Sequence, residues 1–511
     1  MSFISRQRWR ISIASVITLL ALMLSLGYAV ASRGQSHAAE PLTQISSDPY
    51  TNTTSNHKTQ VEPDTFAFGK TIVATFQSGR FFDGGASNIG FATSTNAGET
   101  WTHGFLPSST VYASPPGIYL RASDPSVAYD ANHKVWIISW LGIKNPSTGP
   151  VDVLVSRSTD GGHTFGAPVV VNASGDFNDK NWSVCDDSAS SPFFGNCYTE
   201  FDDFSKINRV QMSTSTDGGK TWGPALTTPD KACVIGGQPL VQPNGTVIVP
   251  IDDCFETALL SFRSTDGGKS WSRTVLAAQT LSSLVGGNLR TSPLPSAEMD
   301  SSGKVYVVWQ DCRFERPNCA YNDIVMTTST DGIHWTLVKR IPINPLGSGV
   351  DHFIPGLAVD RTTSGGSANL ALAYYYYPNA FCSVDTCQLN VGFVSSTNGG
   401  ASWSAAEQLA GPMKLTWLPL TTQGFMVGDY ISTSIVPGDD DATPVFEVAK
   451  PPTGTSSCSN LSTGAPGQHC HEATFTTPED LLKMSGGTNV SNDVAPSNLS
   501  KPGLSKRATD F

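Results

Sequence analysis

No cysteine precedes Cys185, and none of the ten cysteines is spaced as Cys-x-x-Cys. The first absence excludes a lipid-modified cysteine behind an N-terminal apolar run, and the second removes the ligand spacing of a structural zinc. No metal and no cofactor is therefore expected. The ten instead form five close pairs, Cys185 with Cys197, Cys233 with Cys254, Cys312 with Cys319, Cys382 with Cys387 and Cys458 with Cys470, an even set that reads as disulfides in an exported chain. Basic residues are scarce as well: 32 Lys and Arg stand against 43 Asp and Glu. Without residues 1–39, which carry four Arg and no acid, the balance falls to −15, and nucleic acid and anionic membrane surfaces are excluded as partners by repulsion.

Long apolar runs are missing too, except at the start, where Arg6, Arg8 and Arg10 precede an uncharged stretch from Ile11 to Ala31. Residues 1–39 are expected to be a cleaved signal peptide, with a membrane anchor as the competing reading because the stretch is long enough to span a bilayer. Both readings put the rest of the chain outside the cytoplasm, secreted or held by its N-terminus. That remainder is globular, since 39% apolar residues in a 511-residue chain can bury a large core, and a monomer is expected.

What is abundant is a repeat. The pattern Ser-x-Asp-x-Gly-x-x-Trp occurs as STNAGETW (94–101), STDGGHTF (158–165), STDGGKTW (215–222), STDGGKSW (264–271) and STNGGASW (396–403), with a shorter STDGIHW at 329–335. Successive starts lie 49 to 67 residues apart, a period suited to four short strands per unit. Each copy follows a β-patterned run such as RVQMSTS, so it is expected to be a hairpin turn. In it Asn96, Asp160, Asp217, Asp266, Asp331 and Asn398 accept turn N–H groups, and the aromatic packs between sheets. A fainter run, x-Pro-x-x-x-x-Asp, precedes most boxes and marks innermost strands at Glu62, Asp124, Gln238, Leu294 and Ile354, with a copy lacking Pro at Lys180; one more run, from Gly428, has no box after it.

The expected fold is an all-β propeller of four-stranded antiparallel blades, seven blades favoured and six the alternative. It spans 61–478. Residues 40–60 are expected to add an outer strand that closes the ring, and 479–511, rich in Ser, Asn, Gly and Pro, to form a disordered tail.

The boxes resemble the Asp-box of the sialidase (neuraminidase) superfamily, the BNR-repeat β-propellers, over about residues 60–475. The resemblance implies that the box joins the third and fourth strands of a blade and is structural. It also implies an exo-glycosidase for acidic sugars, with an arginine triad, a tyrosine nucleophile with a glutamate partner, and an aspartate acid/base. One departure is plain: the family's Phe/Tyr-Arg-Ile-Pro element before the first blade is missing, and the one Arg-Ile-Pro, Arg340–Pro342, follows a box in a peripheral strand.

Strand alternation places the inner-strand starts and the loops between second and third strands at the end opposite the boxes, where binding is expected. Glu62, Asp124, Lys180, Gln238, His352, Asp429 and Tyr430 would converge there, with Arg80, Arg121, Arg290, Asp311 and Arg313 on adjoining loops. Following the resemblance, Tyr430 is the nucleophile, Glu62 its base and Asp124 the acid. Arg80, Arg121, Arg290 and Arg313, with Lys180, Gln238, His352 and Asp429, then hold a carboxylated sugar. The competing reading is a non-catalytic propeller that binds glycan or protein through the same loops, and the missing arginine element favours it. A metal-dependent enzyme built on Asp439–Asp441 or on Asp252 and Asp253 ranks last for want of spaced ligands.

Overall fold

The computed structural model describes residues 41–493 apart from 148, 316, 456, 459–468, 479–481 and 491–492. The expected signal or anchor at 1–39 and the chain beyond 493 lie outside the described residues. Nearly all regular structure among the described residues is antiparallel β, interrupted by single turns of 3-10 helix. Strands such as Thr71–Arg80 (TIVATFQSGR) and Val135–Ile143 (VWIISWLGI) are buried along almost their whole length, because neighbouring sheets cover both faces. They accordingly read as near-continuous runs of β-branched and aromatic residues rather than as alternation.

Each inner run read from the sequence is a strand: Gln60–Phe68, Arg121–Asp130, Asn178–Cys185, Leu240–Val241, Ser296–Met299, Asp351–Val359 and Ser432–Ile435. The blade count is corrected. Among the described residues five sheets have four strands or more, so neither seven nor six separate four-stranded blades is found. The pairing of Ala86 with Ala122 fuses the units around the first two boxes into one eight-stranded sheet. The unit of Asn178–Cys185 keeps only three strands, since its outer segment reaches it through the isolated bridge of Met212 with Leu226.

The start of the described chain meets its last strand, Glu472–Thr476. Thr43–Gln44 pairs with Glu472–Thr476, Thr43 opposite Thr476. The last inner strand lies beside the first, with Ser434 Oγ 3.2 Å from Thr65 Oγ1 and the Glu62 N–H 3.4 Å from the Val427 carbonyl. The expected disorder of 479–511 is corrected for 482–490. There Leu482 and Met484 are buried, the Met484 N–H donates to Asp440 O at 2.6 Å, and Asn489 pairs with Trp403, because these apolar residues find a groove beside the neighbouring sheets.

The octapeptide is the turn its chemistry implies. Ser215 Oγ donates to Asp217 Oδ1 at 2.9 Å and accepts the Gly219 N–H at 3.0 Å, while Asp217 takes the N–H groups of Lys220 and Thr221, both at 3.0 Å. Its glycine and aromatic then fasten neighbouring sheets. A Cβ on Gly162 would stand 2.8 Å from Val73, and one on Gly268 2.9 Å from Tyr198, side chains of the preceding units. Phe165 meets Phe91 edge-on at 4.8 Å, and Trp271 meets Tyr198 at 6.4 Å. All five cysteine pairs are disulfides and no cysteine is free, which fits an extracellular protein.

Candidate functional site

Inner strands reach the centre through a repeated irregularity. Their pairing with the second strand skips Glu62–Pro63, Asp124–Pro125, Lys180–Asn181 and Ile354, and the first residue of each step has a positive φ of 57°, 47°, 51° and 49° respectively. Such a bulge costs backbone strain, more so before proline, and redirects the side chain. Glu62, Asp124 and Lys180 are thereby gathered at the centre.

Lys180 is the hub. Its Nζ contacts Asp429 Oδ2 and lies 3.8 Å from both Glu62 Oε1 and Asp124 Oδ2. Arg290 grips Asp429 with two bonds, Nε to Oδ1 at 2.7 Å and Nη2 to Oδ2 at 2.5 Å. Glu62 Oε2 accepts the Gln77 amide, which also donates to Ser123 Oγ at 3.2 Å; Ser123 in turn donates to Asp124 Oδ1 at 2.6 Å. Asp124 Oδ2 is buried and accepts no hydrogen bond among the described residues.

These contacts split the carboxyls. Burial, reinforced by Asp124 and only partly offset by Lys180, pushes Glu62 up to about 8. Burial would raise Asp429 as well, but Arg290 and Lys180 outweigh it and hold this carboxyl well below the usual range. Asp179, missed in the sequence, is raised to about 6 by burial and by Asp124. Asp202, which pairs with it across the strands and was also missed, rises well above the ordinary carboxylate value for the same two kinds of reason, burial and nearby acids. Alternation would set Asp179 on the face opposite Lys180, Asp202 comes near only through the cross-strand register, and nothing in the sequence signals Gln77.

Tyr430 closes one side. Its hydroxyl donates to Pro125 O at 3.2 Å, its ring meets Trp182 edge-on at 5.1 Å, and Lys180 Nζ stands 5.8 Å from the ring centre. Burial and then Glu62 raise the hydroxyl well above its ordinary value. No hydrogen bond joins Tyr430 to Glu62 among the described residues, so the phenol–carboxylate pairing expected from the sequence is replaced by the bond to Pro125.

The remaining expected residues divide. Arg80 donates to the carbonyls of Phe81 and Gly85 at 3.0 and 2.8 Å and to Met426 Sδ, and burial with the nearby Arg290 brings it down to about 10. Arg121 lies outward, 2.6 Å from Asp83 and stacked 4.1 Å over Phe81. Arg313 folds back on Asp311, 2.6 Å away. Gln238 reaches the centre while accepting the Ala297 N–H at 2.7 Å. His352 does not reach the cluster: its Nε2 is 2.9 Å from Asn344 Oδ1, its ring stacks with Tyr376, and burial lowers it to about 4. The bulge in its strand falls at Ile354, so an apolar side chain takes the inward position. Asp439, Asp440 and Asp441 bring their carboxylates within 4.8 Å of one another on a loop, as exposed acidic groups commonly do without an ion.

Two features complete the site. A hairpin, Leu420–Thr421 with Gly424–Phe425, lies across the centre: Thr422 N donates to Phe82 O at 3.0 Å, and Arg290 N to Phe425 O at 2.7 Å, which is what brings Arg290 to Asp429. Beside the cluster a cavity of about 20 Å³ is lined by Asp124, Lys180, Trp182, Gln238 and Tyr430. Deeper along the axis a second, of about 30 Å³, is lined by Asp64, Glu298 and Arg361 among others.

Sheets and closing seam together define an all-β propeller. Among solved structures, the Hadza microbial sialidase Hz136 is 12% identical over 84% of this chain and 67% of its own, with a TM-score of 0.42. The NanB sialidase from Streptococcus pneumoniae is 13% identical over 89% and 73%, at 0.43, and a family PL25 ulvan lyase 9% identical over 86% and 96%, at 0.48. At these values no chemistry passes from them to this chain. No protein-family model matches the chain, and no curated protein is significantly similar to it.

Proposed function

We propose that this protein recognises glycans, at the end of the propeller that bears the second-to-third-strand loops. The observation that carries this reading is a set of exposed aromatic side chains on three of those loops, Phe82 at 54%, Phe255 at 73% and Phe381 at 71% exposure, around a polar centre. Flat aromatic faces suit the C–H faces of a pyranose, while carboxylates and amides take its hydroxyls. The Cys312–Cys319 and Cys382–Cys387 disulfides staple two loops of that end and reduce the ordering cost of binding.

Hydrolysis is the second reading, and Glu62 is the observation that favours it. A carboxyl near 8 keeps its proton at neutral pH, beside Asp429, which stays ionised, and such unequal acids are what glycoside cleavage employs. In this reading Glu62 is the proton donor. A nucleophilic role for Tyr430 would require it to give up its bond to Pro125 and lose its proton in a buried, acidic setting.

Calorimetry against sialosides, uronic-acid glycosides and neutral oligosaccharides, with product release measured in parallel, tests both readings. Binding that weakens at least tenfold when Phe82, Phe255 and Phe381 are all changed to Ala is the expected result. Failure to bind any glycan would sink the proposal. Turnover that disappears in Glu62→Gln would carry the hydrolytic reading, and turnover that survives it would remove Glu62 as the acid.

A further inference from the structure

From the state of the charges at the centre we infer that the glycan read there is uncharged, and that one of its hydroxyls enters the small cavity to donate to Asp124 Oδ2. This rests on the glycan-binding reading and narrows its ligand class.

A carboxylated sugar needs a cation that is free to receive it, preferably an arginine fork. Each basic residue that the sequence brought forward for that task is already engaged within the protein. Arg290 spends two N–H groups on Asp429, and Lys180 is surrounded by Asp429, Glu62 and Asp124. Arg80 is turned to backbone carbonyls, Arg121 to Asp83 and Arg313 to Asp311. Asp429 occupies the position on Arg290 that an incoming carboxylate would need. A charged ligand would have to displace a buried carboxylate from a bidentate pair, leaving it unpaired at high cost.

What is left without a hydrogen bond at the centre is an acceptor. Asp124 is 5% exposed, its Oδ1 accepts from Ser123, and its Oδ2 accepts nothing although Lys180 stands 3.8 Å away. A buried polar atom in that state calls for a donor. The cavity that Asp124 lines, at about 20 Å³, has room for one water-sized group, which is the size of a hydroxyl. Tyr430 and Trp182 wall it with aromatic surface, as suits the carbon next to such a hydroxyl. An ammonium group fits the space but not the charge, because Lys180 borders the same cavity. The excess of acid over base in the chain adds a long-range bias against anions.

The test uses matched oligosaccharides that differ only in their terminal unit, a hexose or the uronic acid formed by oxidising its C6, with a sialylated member added, titrated into the full-length protein by calorimetry. Neutral members are expected to bind at least tenfold more tightly than their uronic-acid counterparts, and Asp124→Asn to weaken the neutral member about tenfold, as loss of one charge-assisted hydrogen bond implies. Acidic members that bind as tightly as the neutral ones, or more tightly, would overturn the inference while leaving glycan recognition intact. Absence of binding by every member would instead remove the glycan reading itself. Asp429→Asn gives an independent arm: it frees Arg290, so affinity for the uronic-acid member should rise, and no rise in a folded variant counts against Asp429 as the excluding group. If that variant does not fold, the wild-type comparison alone decides.

Discussion

Asp217 and Glu62 are both acids at the end of a strand, and they do opposite work. Asp217 is half-exposed and gives its oxygens to the Lys220 and Thr221 N–H groups, so Asp217→Ala should cost about 1–2 kcal/mol, measurable by denaturant unfolding, with no change at the opposite end of the propeller. Glu62 is buried and holds its proton up to about 8, against 4.5 in the unfolded chain, because burial and Asp124 disfavour its charge. The folded state therefore binds the extra proton between those values, and stability contributed by this group is complete below about 4.5 and lost as pH rises to about 8. Melting temperatures at pH 5 and pH 8 should differ, lower at pH 8, and Glu62→Gln should narrow the gap. An unchanged gap would show that other buried acids, such as Asp64 near 7, set the dependence.

At the scale of elements, the bulge in the inner strands is the device that builds the site. Its signature, a charged residue just before proline, was readable at Glu62 and Asp124, and this is why those two residues were placed at the centre from sequence alone. His352 does not carry that signature: in its run the residue just before proline is Ile354, and Ile354 is the one the register skips. The seam between last and first inner strands depends on Gly428, whose φ is +144° and where a Cβ would meet the Glu62 N at 2.8 Å. Gly428→Ala should therefore destabilise by about 2–3 kcal/mol and displace Glu62. Thermal unfolding reads the first effect, and loss of the raised acid limb in a pH titration of stability reads the second.

For the whole molecule, the edge left by Glu472–Thr476 is covered by Thr43–Gln44, a two-residue strand from the start of the described chain. A protein beginning at Asp48 keeps the site but exposes that edge, and it should melt at lower temperature and self-associate, as size-exclusion chromatography would record. Monomeric behaviour equal to that of the longer chain would mean the strand is dispensable. The sheet count also belongs to this scale. Repeat spacing located the strands, but whether neighbouring units stay separate or fuse through Ala86 and Ala122 depends on a single backbone pairing that no residue type announces.

The sequence by itself determined the β class, the turns, the inner-strand runs and the five disulfides, because each follows from local chemistry: alternation, glycine and aspartate at set offsets, and cysteines a few residues apart. It also brought Glu62, Asp124, Lys180, Arg290 and Asp429 forward as candidates. Only the tertiary structure decided their condition, that Arg290 and Lys180 are already held by Asp429, that Tyr430 faces Pro125, and that Asp124 keeps an oxygen without a hydrogen bond. The reason is physical: those partners lie up to 305 residues apart along the chain, and burial, which sets their charges, is a property of the assembled propeller rather than of any stretch within it.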